Sequence, residues 1–446
     1  METPIADFVA AYAASDPVRA HMPGHKGKGP LGCEALDITE IAGADSLYEA
    51  DGIIARSEAN AARLFGSGAT LYSTEGSSQC IRAMLYLALL NAPRDGSRPV
   101  ILAARNCHKT LLYAAAMLDF EIQWLWPEDE RYSLCRCTVS ASQLRKKLSL
   151  LPRPPAAVLV TSPDYLGDVL DIRALAETAH SFGVPLLVDD AHGAYRKFLY
   201  TGEHPMDLGA DICCDSAHKT LPVLTGGAYL HIGRNAPESF LENARRAMAM
   251  FGSTSPSYLI LQSLDLANRS LSGDFPARLA ETAKHVQALR ETLTEKGWMV
   301  ESTEPMKITV DIPGRAASEA ILQRLECAGI AWEYADPDYL VMMFSLENSS
   351  RDFERIARAF PENTGYGDSS RPEFRFSQPE TPLTPRQAAF APAEWVDIEN
   401  ARGRILAEPS VGCPPAVPIA VTGEKITAEM IPVFAYYGIP RIWVVK

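Results

Sequence analysis

A chain of 446 residues is long enough for two or three domains with ample core. Its formal charge of −13 argues against a nucleic-acid or anionic-membrane surface and suits a cationic small substrate. The nine cysteines are scattered without a C-x-x-C, which fits neither a disulfide framework nor a zinc knuckle, so no metal ligands are assigned and reduced thiols in a cytosol are expected.

The opening METPIADFVAAYAASDP carries acids and no basic stretch before an apolar core, so it is not read as a signal peptide. No run approaches the ~20 apolar residues of a membrane helix. A cytoplasmic protein is the expectation. Residues 1–36 read as an arm in which the Gly/Pro-rich stretch from His21 to Pro30 forms a loop. No Lys-Ser/Thr follows the glycine spacing, so this is not a Walker phosphate loop. His21 and His25 are separated by Pro and Gly, which keeps one helix from presenting both to a metal; a structural or substrate-contacting loop fits better.

From Asp37 onward helix and strand signals alternate. Ser57 to Phe65 is a predicted helix stopped by Gly66. The run Leu71 to Glu75 leads through Gly76-Ser77-Ser78 into a helix carrying Ile81, Met84, Leu85, Ala88 and Leu89 at helical spacing. Free N–H groups and the helix dipole make such a turn a phosphate site, and a plain serine N-cap is the competing reading. Short buried strands are predicted at Pro99 to Ala103, Ala156 to Thr161, Pro185 to Asp189 and Gly227 to Ile232, with a helix at Ile172 to Phe182. Strands separated by helices imply a mostly parallel sheet, with ligands beyond the carboxyl ends of its strands. The loops at those ends carry Arg105 to Lys109, Thr161 to Tyr165, Asp189 to Gly193 and Ser216 to Lys219. No G-x-G-x-x-G follows a strand, which disfavours a dinucleotide fold.

The stretch Asp211 to Gly227 places Lys219 just after an apolar run, beside His218 and Ser216. Lysine is rarely buried without a partner or a covalent role. A strand-end lysine reaching solvent and a Schiff-base lysine holding pyridoxal phosphate both fit this stretch. Beyond Pro256 the character changes to a smaller α+β unit: helices at Ala277 to Glu295, Ser318 to Cys327 and Asp352 to Phe360, and strands at Met306 to Ile312 and Tyr339 to Ser345. Residues 361–394 are expected as a connecting loop, and the last segment holds Cys413-Pro414-Pro415-Ala416-Val417-Pro418 and Thr422-Gly423-Glu424. The expected division is 1–36, an arm; 37–256, a large domain; and 257–446, a small domain.

The strings HMPGHKGKG, EIAGADSL, TEGSSQ, RNCHKT, TSPDYLGDVLDI, DDAHG, SAHKT, STSPSY and CPPAVP followed by TGE occur in this order over nearly the whole chain. In that pattern the chain resembles the ornithine/lysine/arginine decarboxylases of fold type I, in the short bacterial form without an N-terminal wing. The resemblance implies an α/β large domain with a mostly parallel sheet, a smaller C-terminal α+β domain, pyridoxal 5'-phosphate as cofactor, and a homodimer or larger homo-oligomer with the site at the interface.

It also implies roles. Lys219 would carry the cofactor covalently and later transfer a proton. Asp189 would pair with the pyridine nitrogen; such a pair at ~4 Å and an effective dielectric of ~20 gives about 4 kcal/mol, enough to keep the ring protonated. His108 would stack on the ring and His192 would sit at its other edge. Gly76, Ser77, Ser78, Ser216 and His218 would hold the phosphate, and Ser253 and Thr254 would reach the phosphate of the partner subunit. Glu424 resembles an acid near the distal cation of the substrate, with a solvated loop glutamate as the competing reading, and His25 is the other substrate-side residue. Asp190 stands where the family has glutamate and is read as an acid of the same charge. The implied reaction is α-decarboxylation of arginine, ahead of lysine or ornithine. An aminotransferase or lyase on the same fold, or a non-catalytic scaffold, are the alternatives.

Overall fold

The structure, a computed structural model, describes residues 1–446 apart from 93–95, 128–136, 200–201, 302–303, 364–371, 373, 375–377 and 409–417. Cys135 and the expected loop Cys413 to Val417 thus lie outside the described residues. Two compact units emerge: residues 1–95, 150–162 and 172–277 form the first, and 96–149, 163–171 and 278–446 the second.

In chain order the first seven strands are β1 (Ala69–Ser73), β2 (Val100–Ala104), β3 (Glu121–Leu125), β4 (Ala157–Thr161), β5 (Leu186–Asp189), β6 (Ile212–Asp215) and β7 (Ala228–Ile232). Within the first unit they run β1-β7-β6-β5-β4. β4, β5 and β6 are parallel, and β7 is antiparallel to both β6 and β1. The Gly227 to Ile232 run is therefore a strand as expected, but reversed. Its connection from β6 holds only the short helix Ala217–Thr220 and a turn, too little for the crossover that a parallel neighbour needs. Every residue of β5, β6 and β7 is buried, which explains their continuous apolar runs. The helix before β1 spans Ile53–Phe65 and stops at Gly66, whose φ of 71° is the left-handed cap.

In the second unit β2 and β3 pair in parallel. β8 (Val300–Glu301), β9 (Lys307–Asp311), β10 (Tyr334–Ala335) and β11 (Tyr339–Met343) form an antiparallel sheet in the order β10-β11-β9-β8. Two further strands, β12 (Ala393–Asp397) and β13 (Arg441–Val445), pair antiparallel. The stretch expected as a loop up to 394 contains a helix, Pro385–Ala389, opened by a Thr384–Gln387 capping box.

The turn between β10 and β11 contains a partly buried acid with a measurable consequence. Asp336 accepts hydrogen bonds from the Asp338 and Tyr339 N–H groups and from the Tyr334 hydroxyl. Burial, with Asp338 adding to it, nevertheless pushes its carboxyl from 3.8 up to about 6. The native state therefore binds the proton more tightly than the unfolded chain. Stability at this site is lost as pH rises from about 4 through about 6, by up to about 3 kcal/mol. Asp336→Asn is expected to be the more stable protein near neutral pH and to match the wild type at about pH 4, as read by urea unfolding at the two pH values.

Candidate active site

The carboxyl ends of β5 and β6 carry the first cluster. Lys219 lies in the short helix Ala217–Thr220 that follows β6, and its Nζ is 2.9 Å from Nε2 of His192. Asp189 closes β5 and is buried; its Oδ1 accepts the Ala191 N–H at 3.3 Å and faces the Cys214 thiol at 3.6 Å. Burial pushes the Asp189 carboxyl up, and the Lys219 charge pulls it back. Three predicted residues, Lys219, His192 and Asp189, therefore share one strand-end cluster.

The second cluster meets it at Ser216, whose hydroxyl donates to Ser77 Oγ at 2.8 Å. Ser77 and Ser78 start the helix Ser77–Leu90 after Gly76, whose φ of 71° needs glycine. A Cβ built on Gly76 meets nothing within 4 Å, so open space lies before that helix start. Ser73 Oγ donates to the Gly76 carbonyl and braces the turn. His218 Nδ1 donates to the Gly227 carbonyl at 3.0 Å, and burial pushes the ring pKa down, which keeps a neutral ring with a fixed tautomer. Ser253 and Thr254 are exposed, and the Ser253 N–H donates to Glu75. Two serines at a helix start, an open glycine turn and an adjacent buried carboxylate beside a lysine fit a phosphorylated pyridine aldehyde. Gly226 locks this turn, because its carbonyl accepts the Gly76 N–H at 2.7 Å. Its φ is +99°, and a Cβ there would lie 2.8 Å from the Thr74 carbonyl oxygen. Gly226→Ala should cost about 1–3 kcal/mol and loosen the turn, seen as a lower melting temperature together with weaker cofactor retention.

Behind these clusters runs a buried polar ladder that the sequence reading does not contain. Ser67 Oγ meets Thr70 Oγ1 at 2.8 Å, Thr70 Oγ1 meets His231 Nδ1 at 2.7 Å, and His231 Nε2 donates to Asp215 Oδ2 at 3.1 Å. His204 Nε2 reaches the same Asp215 oxygen at 3.1 Å and Asp190 Oδ2 at 3.3 Å. Burial pushes the Asp190 carboxyl well up and Asp215 adds to this; burial acts on Asp215 too, but His204 and His231 outweigh it and hold that acid below its ordinary range. Both Asp190 oxygens and Asp215 Oδ1 are buried without a hydrogen-bond donor, which one proton on Asp190 relieves. Asp190, which stands where the family has glutamate, is thus a buried acid whose carboxyl burial and Asp215 push well up.

His204, Cys213, Asp215 and His231 each bring a ligand atom within 4.8 Å of the others, a spacing that suits a metal. However, the Met206 N–H donates to His204 Nδ1 at 3.3 Å and leaves the ring proton on Nε2. The nitrogen facing the cluster then offers a donor where a metal needs a lone pair. A sequence signal for it was the histidine within the apolar strand AYLHI.

Two predicted residues lie in the second unit. His108 precedes the helix Thr110–Leu118, and its Nδ1 accepts the Thr110 N–H at 3.3 Å and contacts Thr110 Oγ1 at 2.7 Å. Its Nε2 therefore carries the ring proton. Glu424 is buried, and both its oxygens take Arg105: Nη1 to Oε1 at 2.8 Å and Nη2 to Oε2 at 2.7 Å. The Val421 N–H also donates to Oε2 at 2.8 Å. The Arg105 guanidinium stacks over Trp124 and Trp126, 4.7 and 4.6 Å from their ring centres. Arg105 was placed in the right loop by the sequence, but its pairing was not. In the first unit, His25 accepts the Gly27 N–H on Nδ1 at 3.0 Å and donates from Nε2 to Asp37 at 3.1 Å, so the arm histidine is held by its own loop.

Comparison with known families matches residues 3–341 to the Orn/Lys/Arg decarboxylase major domain and residues 372–442 to the Orn/Lys/Arg decarboxylase C-terminal domain. An arginine decarboxylase of Bacillus subtilis is 30% identical, over 96% of this chain and 92% of its own length. A second Bacillus subtilis relative, the uncharacterized protein YaaO, is 28% identical over 97% of this chain and 93% of its own. Among solved structures, the constitutive lysine decarboxylase of E. coli superposes with a TM-score of 0.79 at 19% identity, covering 100% of this chain and 82% of that one. The fold is thus that of the fold type I enzymes, with a mostly parallel sheet. Among the described residues no helix is long and apolar enough to cross a membrane.

Proposed function

Because the chain belongs to the Orn/Lys/Arg decarboxylase family, we propose that it removes the α-carboxylate of a basic amino acid as CO2 with pyridoxal 5'-phosphate as cofactor, and that arginine is its substrate ahead of lysine or ornithine. The observation that carries this reading is Lys219 Nζ held 2.9 Å from His192 beside the buried carboxylate of Asp189.

Bound there, the cofactor supplies an electron sink for the pair left at Cα when CO2 departs. The chain supplies the rest. Ser77, Ser78, Ser216, His218 and the N–H groups after Gly76 would bind the phosphate. Asp189 would face the pyridine nitrogen, where a positive charge would offset the cost of burying the carboxylate. His108 would cover the ring face from a fixed tautomer, and His192 would orient Lys219 and share its proton. Lys219 Nζ would hold the cofactor and then return a proton to Cα. The resemblance puts His25 and Glu424 on the substrate side, with the Glu424 carboxylate already held by Arg105. Ser253 and Thr254, exposed in the single chain, would reach the phosphate site of a second copy. A homodimer also accounts for Val18 and Leu31 of the arm, which are 95% and 81% exposed and apolar.

Arginine rests on the 30% identical Bacillus subtilis relative, and the acidic chain favours any cationic amino acid. Incubating purified protein and cofactor with arginine, lysine and ornithine separately, and measuring CO2 and amine, tests the proposal. Agmatine should form fastest. Cadaverine or putrescine in its place would move the substrate, and keto acid without CO2 would replace decarboxylation by transamination.

A further inference from the structure

The first unit contains a second concave site at the opposite end of its strands from Lys219. A cavity of about 470 Å³ is lined by Arg63, Arg234, Arg245 and Glu58, with alanine side chains such as Ala59 and Ala62 in its walls. It lies at the start of β1 and just past the end of the antiparallel β7. The Gly76 turn follows the other end of β1, about 15 Å away at the rise of an extended strand.

The charges in this cavity are not used up by the fold. Arg245 is engaged: it pairs with the buried Glu58 at 2.6 Å and donates to the Leu47 carbonyl. Arg63 spends one nitrogen on Asn60. Arg234 is exposed and, among the described residues, has no hydrogen bond or ion pair. Three arginines against one glutamate leave a positive hollow in a chain whose net charge is −13. Forked guanidinium groups with open donors match phosphate oxygens better than carbonyls or water. The volume lies within the range of small-ligand sites, and the alanine walls leave room for a flat, weakly polar portion. The cavity floor is equally specific. Ser67 and Thr70 line it, and they are the outer end of the polar ladder that runs through His231 to Asp215. The Thr70 hydroxyl donates to Nδ1 of His231, whose ring burial keeps neutral. Every donor in that ladder points inward, so oxygen lone pairs of Ser67 remain at the floor for a ligand donor such as a ribose hydroxyl.

We propose that this cavity binds a phosphate-bearing anionic small molecule, held by Arg63 and Arg234, at a site separate from the cofactor cradle.

The test uses the full chain loaded with cofactor, so that the cradle is filled. Inorganic pyrophosphate and ADP are titrated separately by calorimetry into the wild type and into an Arg63→Ala/Arg234→Ala double variant. Both substitutions are on the surface, and cofactor absorbance and melting temperature confirm that the variant is folded and loaded. Saturable binding that weakens at least about tenfold in the double variant upholds the proposal. ADP binding tighter than pyrophosphate assigns a nucleotide, and equal affinities assign the phosphate chain alone. Absence of heat with both ligands up to millimolar concentration, or equal binding by wild type and double variant, overturns it.

Discussion

Lys219→Ala should abolish amine production, with kcat falling by about a thousandfold or more, and with it the visible absorption of lysine-linked cofactor. Loss of a positioned proton-transfer group alone costs about 10²–10⁴-fold, and loss of the covalent anchor adds to that. The geometry gives the variant a second signature. Lys219 lies 2.9 Å from His192, and its charge offsets the burial of Asp189. Without it, Asp189 keeps its burial and loses a nearby cation, so its carboxyl should titrate at higher pH than in the wild type. A variant that still produces amine at more than about a tenth of the wild-type rate would remove Lys219 from the reaction. Retained activity with lost absorption would point instead to a different anchor.

The second large effect belongs to Glu424. Its two oxygens hold the Arg105 guanidinium by a bidentate pair in which both side chains are 0–1% exposed. Breaking one partner of such a buried pair leaves an uncompensated charge, and the usual cost is about 3–5 kcal/mol. Glu424→Gln is therefore expected to lower the unfolding free energy of the protein by that amount. Replacing both residues with apolar ones, as in Arg105→Met/Glu424→Leu, should recover much of the loss. Assignment of Glu424 to the distal cation of the substrate makes a different prediction: a raised KM for arginine at nearly unchanged stability. Measuring urea unfolding and KM on the same preparation separates an internal anchor from a substrate contact.

The strands β2, β4, β5, β6 and β7 were legible because they are short apolar runs bounded by Gly, Pro or polar residues. The direction of β7 was not, since it depends on how little chain joins it to β6. β3, read EIQWL, is only half buried, and its polar alternation hides it. β12 and β13 pair through Trp395 and Trp443 at a register that only the folded chain defines. The lysine and its serines were visible because they lie close together in sequence and at strand ends. The ladder was not, because it is assembled across strands: Thr70 faces His231 on the β1–β7 register, and Cys213 faces His231 on β6–β7. Arg105 and Glu424 are 319 positions apart, so nothing local announces that one neutralises the other.

The guanidinium clasped between Trp124 and Trp126 gives the second unit an intrinsic optical gauge. A positive charge fixed over an indole face changes the energy of its excited state, so the emission of these two rings depends on whether the cation stays in place. Fluorescence can therefore follow the integrity of this clasp during ligand addition or unfolding, without any added dye.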